Sequence, residues 1–317
     1  MKVLVTGAFG NIGTYCLQEL IRQQHQVRCL HRKSKRAKKI AAKFAGQIEI
    51  VWGDVRDVEA VRRAMSSQDV IIHLAYILPP NSDEKPELAQ AVNVNGTRNL
   101  IEVAQQAAKP PRFLFASSFV VFGHTQQQAP PRGVMDAVVI TDSYSQHKLT
   151  CEKMLMGSSL EWLILRLPIV VVIALQKAHP IMFEIGLDTR TEVLHPADAG
   201  LALVNALRCE AAWGKVLLVG GGVTCQLSFR EYFTKLLTTL GIGPFPEQAY
   251  SKKQYYTDWL DTTESQQLLE YQRHSFEEIL AEISHLLGYR RYIMPLVRPF
   301  VRRSLLKLSP YWSARGR

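Results

Sequence analysis

At 317 residues, with 47% apolar and 21% charged side chains, the chain has an ordinary globular composition and room for one large domain or a core plus a smaller lobe. Its formal charge is +10, but residues 290–317 hold eight Arg/Lys and no Asp/Glu, so 10 − 8 leaves about +2 elsewhere, and a nucleic-acid-binding domain is not indicated. The five cysteines (Cys16, Cys29, Cys151, Cys209 and Cys225) are scattered without a C-x-x-C pair, which excludes a disulfide frame or metal site and predicts reduced thiols in a cytoplasmic setting.

Val3, Leu4 and Val5 read as a buried parallel strand, so no signal peptide is expected ahead of it. Gly7, Gly10 and Gly13 follow in a G-x-x-G-x-x-G turn that also contains Phe9, Asn11 and Ile12, and an amphipathic stretch runs from about Thr14 to Gln24. A strand, a glycine turn and a helix N-terminus together make a phosphate-binding element: the turn lets backbone approach closely, and the helix end offers free N–H groups. Strand and helix signals keep alternating, which predicts a doubly wound parallel sheet. Further strands are expected at Val27–Leu30, Ile48–Trp52, Asp69–Tyr76, Arg112–Gly123 and Leu160–Ile173, with helical periodicity from about Leu88 to Ala108. No Asp or Glu lies between Gln23 and Ile48, and the basic run begins at Arg32. His73 reads as a packed strand histidine.

Tyr144 and Lys148 stand at i and i+4 at the opening of a helix, so phenol and ammonium share one face. A nearby ammonium stabilises the phenolate and lowers a pKa that starts near ~10, which makes Tyr144 a usable acid/base. His147, between them, is expected to point elsewhere and be exposed. No G-x-S-x-G elbow or H-E-x-x-H motif occurs, so neither a hydrolase nor a metal enzyme is indicated.

The glycine turn, the run Asn93-Val-Asn95-Gly-Thr97, the strand ending Ser117-Ser118 and Tyr144-x-x-x-Lys148 occur in the order of the short-chain dehydrogenase/reductase superfamily. The chain resembles its extended, epimerase/dehydratase-like branch from Met1 to about Leu287. The resemblance implies a Rossmann-like sheet with a small C-terminal substrate-binding lobe. Residues 1–165 would form the dinucleotide-binding core with the Tyr/Lys pair, and 166–288 the remaining strands and the lobe. It further implies cofactor contacts at Gly7, Phe9, Gly10, Asn11, Ile12 and Gly13, at Asp54 and Val55, at the small segment Leu74-Ala75-Tyr76, at Asn95, Tyr144 and Lys148, and at Pro168. Ser118 would be the catalytic hydroxyl, with Ser117 facing the other side. Arg32 falls where the superfamily reads a 2′-phosphate, favouring NADP(H) over NAD(H); a plain solvated basic helix is the alternative.

The implied activity is hydride transfer between nicotinamide and a secondary alcohol or ketone. Two alternatives stand beside it: an epimerase that retains its cofactor, and a cofactor-binding regulator or assembly factor without turnover. The short insertion between Pro168 and His195, with Ile181, Met182, Phe183 and Ile185, points to a small or largely apolar substrate or else to simple packing of the lobe. Asp198 is expected as a structural residue at a helix start. Residues 289–317 form a basic tail whose segment 289–312 mixes large apolar residues with cations. It is expected either at an anionic membrane interface or packed on its own domain or a subunit partner, and a homodimer is a further expectation.

Overall fold

The protein is represented by a computed structural model that describes residues 1–174 and 178–312. The last five tail residues, with Arg315 and Arg317, therefore lie outside the described residues, as do positions 175–177 of the short insertion. The first half runs β1 (Lys2–Thr6), α1 (Asn11–Arg22), β2 (Gln26–His31), α2 (Lys35–Ala41), β3 (Ile48–Trp52), α3 (Val58–Met65) and β4 (Val70–His73). Next come α4 (Asn81–Glu84), α5 (Pro86–Gln90), α6 (Gly96–Gln105), β5 (Arg112–Ser118), α7 (Ser143–Met156) and β6 (Trp162–Leu167). The remainder comprises β7 (Ile169–Val170), β8 (Arg190–Leu194), α8 (Pro196–Asn205), β9 (Val216–Leu218), β10 (Gln226–Ser228), α9 (Phe229–Thr239), α10 (Thr263–Leu269), α11 (Phe276–Leu287) and α12 (Arg290–Leu306).

Seven parallel strands pair in the order β3-β2-β1-β4-β5-β6-β9. The order reverses at β1, so a crevice opens beyond its carboxyl end, where ligands bind in such sheets. Alternation along β1 sends Val3 and Val5 to one face, under α1 and α8, and Leu4 to the other, under α3, α6 and α7. A second sheet, β10-β8-β7, lies beside a small lobe whose core joins Phe183, Phe229, Phe233, Ile242, Phe245 and Tyr250.

Four expected elements have different limits, the first being the strand expected to run to Tyr76, which stops at His73. The strand expected through Ile173 breaks at Pro168: β6 stays in the large sheet, while β7 pairs with β8 in the small one. Proline has no N–H to continue a ladder, so it marks the point where the chain changes sheets. β5 stops at Ser118, and Phe119–Phe122 turns as a 3-10 segment. The helix expected from Leu88 to Ala108 contains a π turn over Ala91–Asn95, an irregularity that often accompanies functional sites.

His73 is buried, as expected, with Nδ1 2.6 Å from Thr6 Oγ1 and Nε2 2.9 Å from Thr97 Oγ1. Thr97 spends its own proton on Asn93 O, so it accepts from Nε2–H, and Nδ1 accepts from Thr6; the ring is neutral. Burial pushes its pKa down to about 3, with the Lys148 charge adding to the effect. Because the unfolded ring protonates near 6.5, its contribution to stability is complete above that pH and is lost as pH falls toward the folded value. We expect it to remove about 2 kcal/mol between about pH 6.5 and about pH 5. Denaturant midpoints across that range should show a shallower decline in His73→Gln than in the parent protein.

Candidate active site

Gly7 sits at φ +71°, and a Cβ there would meet the Leu74 carbonyl carbon at 2.6 Å. A Cβ on Gly13 would meet Gly7 O at 2.4 Å. Both positions therefore require glycine: one lets the turn lie against the end of β4, and the other lets α1 start directly on the turn. The N-cap of α1 is Gly10, whose cap carries no side-chain hydrogen bond, and no acidic residue occupies the first turn. That end of the helix presents N–H groups and positive dipole to a cleft, as a pyrophosphate requires.

The cleft has a volume of about 610 Å³. Gly7, Phe9, Gly10, Arg32, Asp54, Val55, Leu74, Ala75 and Tyr76, all expected as cofactor contacts, line it. Phe9 stacks toward His31 at 4.8 Å between ring centroids. Asp54 is the one carboxylate of the wall among the described residues and binds Arg56 at 2.8 and 3.0 Å. Burial alone would raise its pKa, but these Arg56 hydrogen bonds prevail and hold it below the usual carboxylate range. Arg36, Ser34 and Lys85 also line the cleft, and sequence reasoning did not single them out. Ser34 was readable as the N-cap of α2, where its hydroxyl accepts from Ala37 N at 3.0 Å. Lys85 gave no signal, because it reaches the cleft only through the fold.

Other expected contacts fall elsewhere. Asn11 spends its amide on Val171 O at 3.0 Å, tying α1 to the segment after β7, and neither Ile12, Gly13 nor Pro168 lines the cleft. Asn95 requires correction. Its side chain is exposed, 3.4 Å from Arg98, because two residues along a helix from the buried Asn93 it points to nearly the opposite side. Asn93 takes the inward position: its Oδ1 accepts from Ile77 N at 2.7 Å and its Nδ2 donates to Ile77 O at 3.0 Å. An asparagine that matches both backbone groups of Ile77 pins the loop beside the cleft.

Ser118 ends β5, and Asp142 caps α7 through a capping box with Ser145. This brings Ser118, Tyr144 and Lys148 together, each buried to more than nine-tenths. The Tyr144 hydroxyl lies near enough to Ser118 for that hydroxyl to favour the phenolate. Ser117 points away and donates to Glu152 at 2.5 Å, as its expected opposite facing requires. His147 corrects the sequence reading, being buried with Nδ1 3.5 Å from Asn93 Nδ2. The chain around α4 and the π turn packs on α7 and covers a face that helical geometry alone would leave open.

The Tyr144–Lys148 pair also differs from expectation. Burial pushes the Tyr144 phenol upward, and the Ser118 hydroxyl only partly offsets this. Lys148 Nζ donates to Ala116 O at 2.7 Å and lies 3.5 Å from the Tyr76 ring centroid, but 5.8 Å from that of Tyr144. Its own pKa is pushed down to about 7 by burial, against the pull of Cys151 and Glu152. Tyr76, which lines the cleft, thus stands between it and the ammonium.

A glycine cradle, an uncapped helix end and a Ser/Tyr/Lys cluster beyond adjacent strands coincide with a sequence match: residues 3–171 fit the NAD dependent epimerase/dehydratase family. The chain belongs to that family. The chain is similar to a 3-beta-hydroxysteroid dehydrogenase of Mycolicibacterium neoaurum, 29% identical over 164 residues, or 50% of this chain and 43% of that one. A UDP-N-acetyl-alpha-D-glucosaminuronate decarboxylase of Bacillus cytotoxicus is 30% identical over 124 residues, 38% of each chain. The matches thus span less than half the length of these two relatives. The solved UDP-glucuronic acid 4-epimerase of Bacillus cereus, in complex with NAD, superposes with a TM-score of 0.75 at 19% identity, covering 92% of this chain and 100% of that one. At that identity the likeness is one of fold.

Proposed function

We propose that the protein is an NADP(H)-dependent oxidoreductase that interconverts a secondary alcohol and a ketone on a small or largely apolar substrate. The observation that carries this reading is the Ser118/Tyr144/Lys148 cluster beside a cleft with an uncapped helix end. Bound nicotinamide would supply or accept the hydride. Gly7, Gly10 and the start of α1 would hold the pyrophosphate, and Asp54 and Val55 the adenosine end. Ser118 hydrogen-bonds the substrate oxygen and orients it. Tyr144 gives that oxygen a proton on reduction and takes it back on oxidation. Lys148 lends a positive field from beneath Tyr76.

Arg32, Ser34 and Arg36 line the cleft at the end of β2, and no carboxylate follows that strand before Ile48; this supports a 2′-phosphate partner. The apolar cluster that contains Tyr144 supports an apolar substrate through its partly buried members Val134 and Tyr256. Phe183 and Ile185 lend no such support, because they lie in the core of the small lobe and pack it.

Titration of the stripped protein with NADPH and NADH tests the reading. NADPH should bind more tightly, and Arg32→Ala should reduce that preference by about ten- to a hundredfold, the worth of a charge-assisted hydrogen bond. Equal affinities in the parent protein would remove the NADP(H) assignment. A stoichiometric nucleotide that survives dialysis, with no net redox change, would favour an epimerase instead.

A further inference from the structure

α12 carries two apolar stripes, and among the described residues only one is covered. Met294, Val301, Leu305 and Leu306 pack into the small lobe. On the same side Arg298 Nε donates to Ile242 O at 3.0 Å, and Arg302 Nη1 donates to Ile242 O and Gly243 O at 2.9 and 2.8 Å. These bonds fix the helix rigidly to the turn after α9. Tyr289, Ile293, Leu296, Val297 and Phe300 form the second stripe at i, i+4, i+7, i+8 and i+11, on the opposite side. Leu296 is 78% and Phe300 77% exposed, so these side chains meet water.

At the C-terminal end of the helix a groove of about 550 Å³ opens among Arg298, Arg302, Arg303 and Lys307, with Pro299 in its wall and Trp312 at its edge. No carboxylate lines it among the described residues, and the sequence has no Asp or Glu from Tyr289 onward. Apolar stripe and cationic groove adjoin on one rigid element, so one occupant must satisfy both. A second copy would bring like charges together at the grooves. A nucleic acid would meet the cations but leave Leu296 and Phe300 in water. An anionic bilayer satisfies both, taking the apolar side chains at the acyl boundary and setting phosphates against the cations. No helix among the described residues is long and apolar enough to cross a membrane, so the contact is a peripheral one.

We propose that the outer stripe of α12 and the exposed cations that continue it at i+7 and i+11 from Leu296, Arg303 and Lys307, form a docking surface for an anionic phospholipid bilayer. The helix lies along the interface, and the small lobe behind it is held against the membrane. This surface is independent of the nicotinamide site and stands whichever reaction that site performs.

The full-length protein should float with phosphatidylcholine vesicles containing about one-third phosphatidylglycerol and not with pure phosphatidylcholine. Leu296→Asp/Phe300→Asp should abolish flotation. Arg303→Glu/Lys307→Glu should weaken it by more than the roughly fivefold expected for each lost cation. All four side chains lie at the surface, so thermal midpoint and nucleotide affinity should not change in either variant. Absence of flotation with anionic vesicles, or equal flotation with neutral ones, overturns the proposal. So does self-association that Leu296→Asp/Phe300→Asp abolishes while the parent protein ignores vesicles, because the stripe then serves a second copy. Duplex DNA binding that this variant leaves intact, again without vesicle binding, would assign the cations to nucleic acid.

Discussion

Tyr144→Phe will lower kcat by about 10²–10⁴-fold, the usual contribution of a positioned proton donor, and leave nucleotide affinity nearly unchanged. The phenylalanine ring keeps the shape that packs edge-on against Tyr76, 5.8 Å away between centroids, and against the apolar residues around it. Only the hydroxyl is lost, and with it the contact with Ser118. Burial holds the phenol protonated around neutrality, as the proposed donation to a carbonyl requires. Steady-state turnover with ketone and nucleotide titration of the same preparation separate the two effects. A variant that binds nucleotide normally and keeps full turnover would remove Tyr144 from the proposed chemistry.

Glu152→Ala will destabilise the protein by about 3–5 kcal/mol, the cost of leaving a buried charge without its partner. The Glu152 carboxylate accepts from Arg166 at 2.8 and 3.1 Å and from Ser117 at 2.5 Å. Its side chain is 1% exposed and that of Arg166 7%, so water cannot replace either group. Arg166 Nη1 already lacks a protein partner, and the guanidinium lies 5.1 Å from the Phe122 ring centroid. Without Glu152 the whole cation would be stranded. The three residues come from α7, β6 and β5, so the network also locks together the elements that present Tyr144, Lys148 and Ser118. Urea unfolding of Glu152→Ala and of Glu152→Ala/Arg166→Met provides the test, and the double variant should recover part of the loss. A loss below about 1 kcal/mol in the single variant would mean that the pair is far better solvated than its burial implies.

The legible parts of the site were those encoded between near neighbours. The glycine spacing identified the phosphate turn because backbone approach at Gly7 and Gly13 excludes a Cβ. The i, i+4 interval placed Tyr144 and Lys148 on one helical face. The missing carboxylates after β2 were countable, and with Arg32 they marked the cationic end of the cleft. Asn95 was misread because Asn93 and Asn95 fall on nearly opposite sides of the helix, and only the packing of the Ile77 loop decides which of them is inside. His147 was misread because its cover comes from chain about fifty residues earlier, a contact that no local pattern carries. Tyr76 was recognised as part of the right segment, but its role as cover for Lys148 arises only when β4 and α7 meet.

By itself the sequence determined the alternation of strand and helix, the parallel sheet, the glycine turn with its uncapped helix end, and the residues that assemble at the Ser/Tyr/Lys cluster. Each follows from steric limits or periodicities a few residues long. The tertiary structure decided which of two asparagines turns inward, how a buried ammonium is held under Tyr76, where Pro168 hands the chain to a second sheet, and which stripe of α12 the protein covers. In each of these cases the deciding partner lies far away in the chain. Burial, and with it the energy of every charge and apolar face, is a property of that partner as much as of the residue itself.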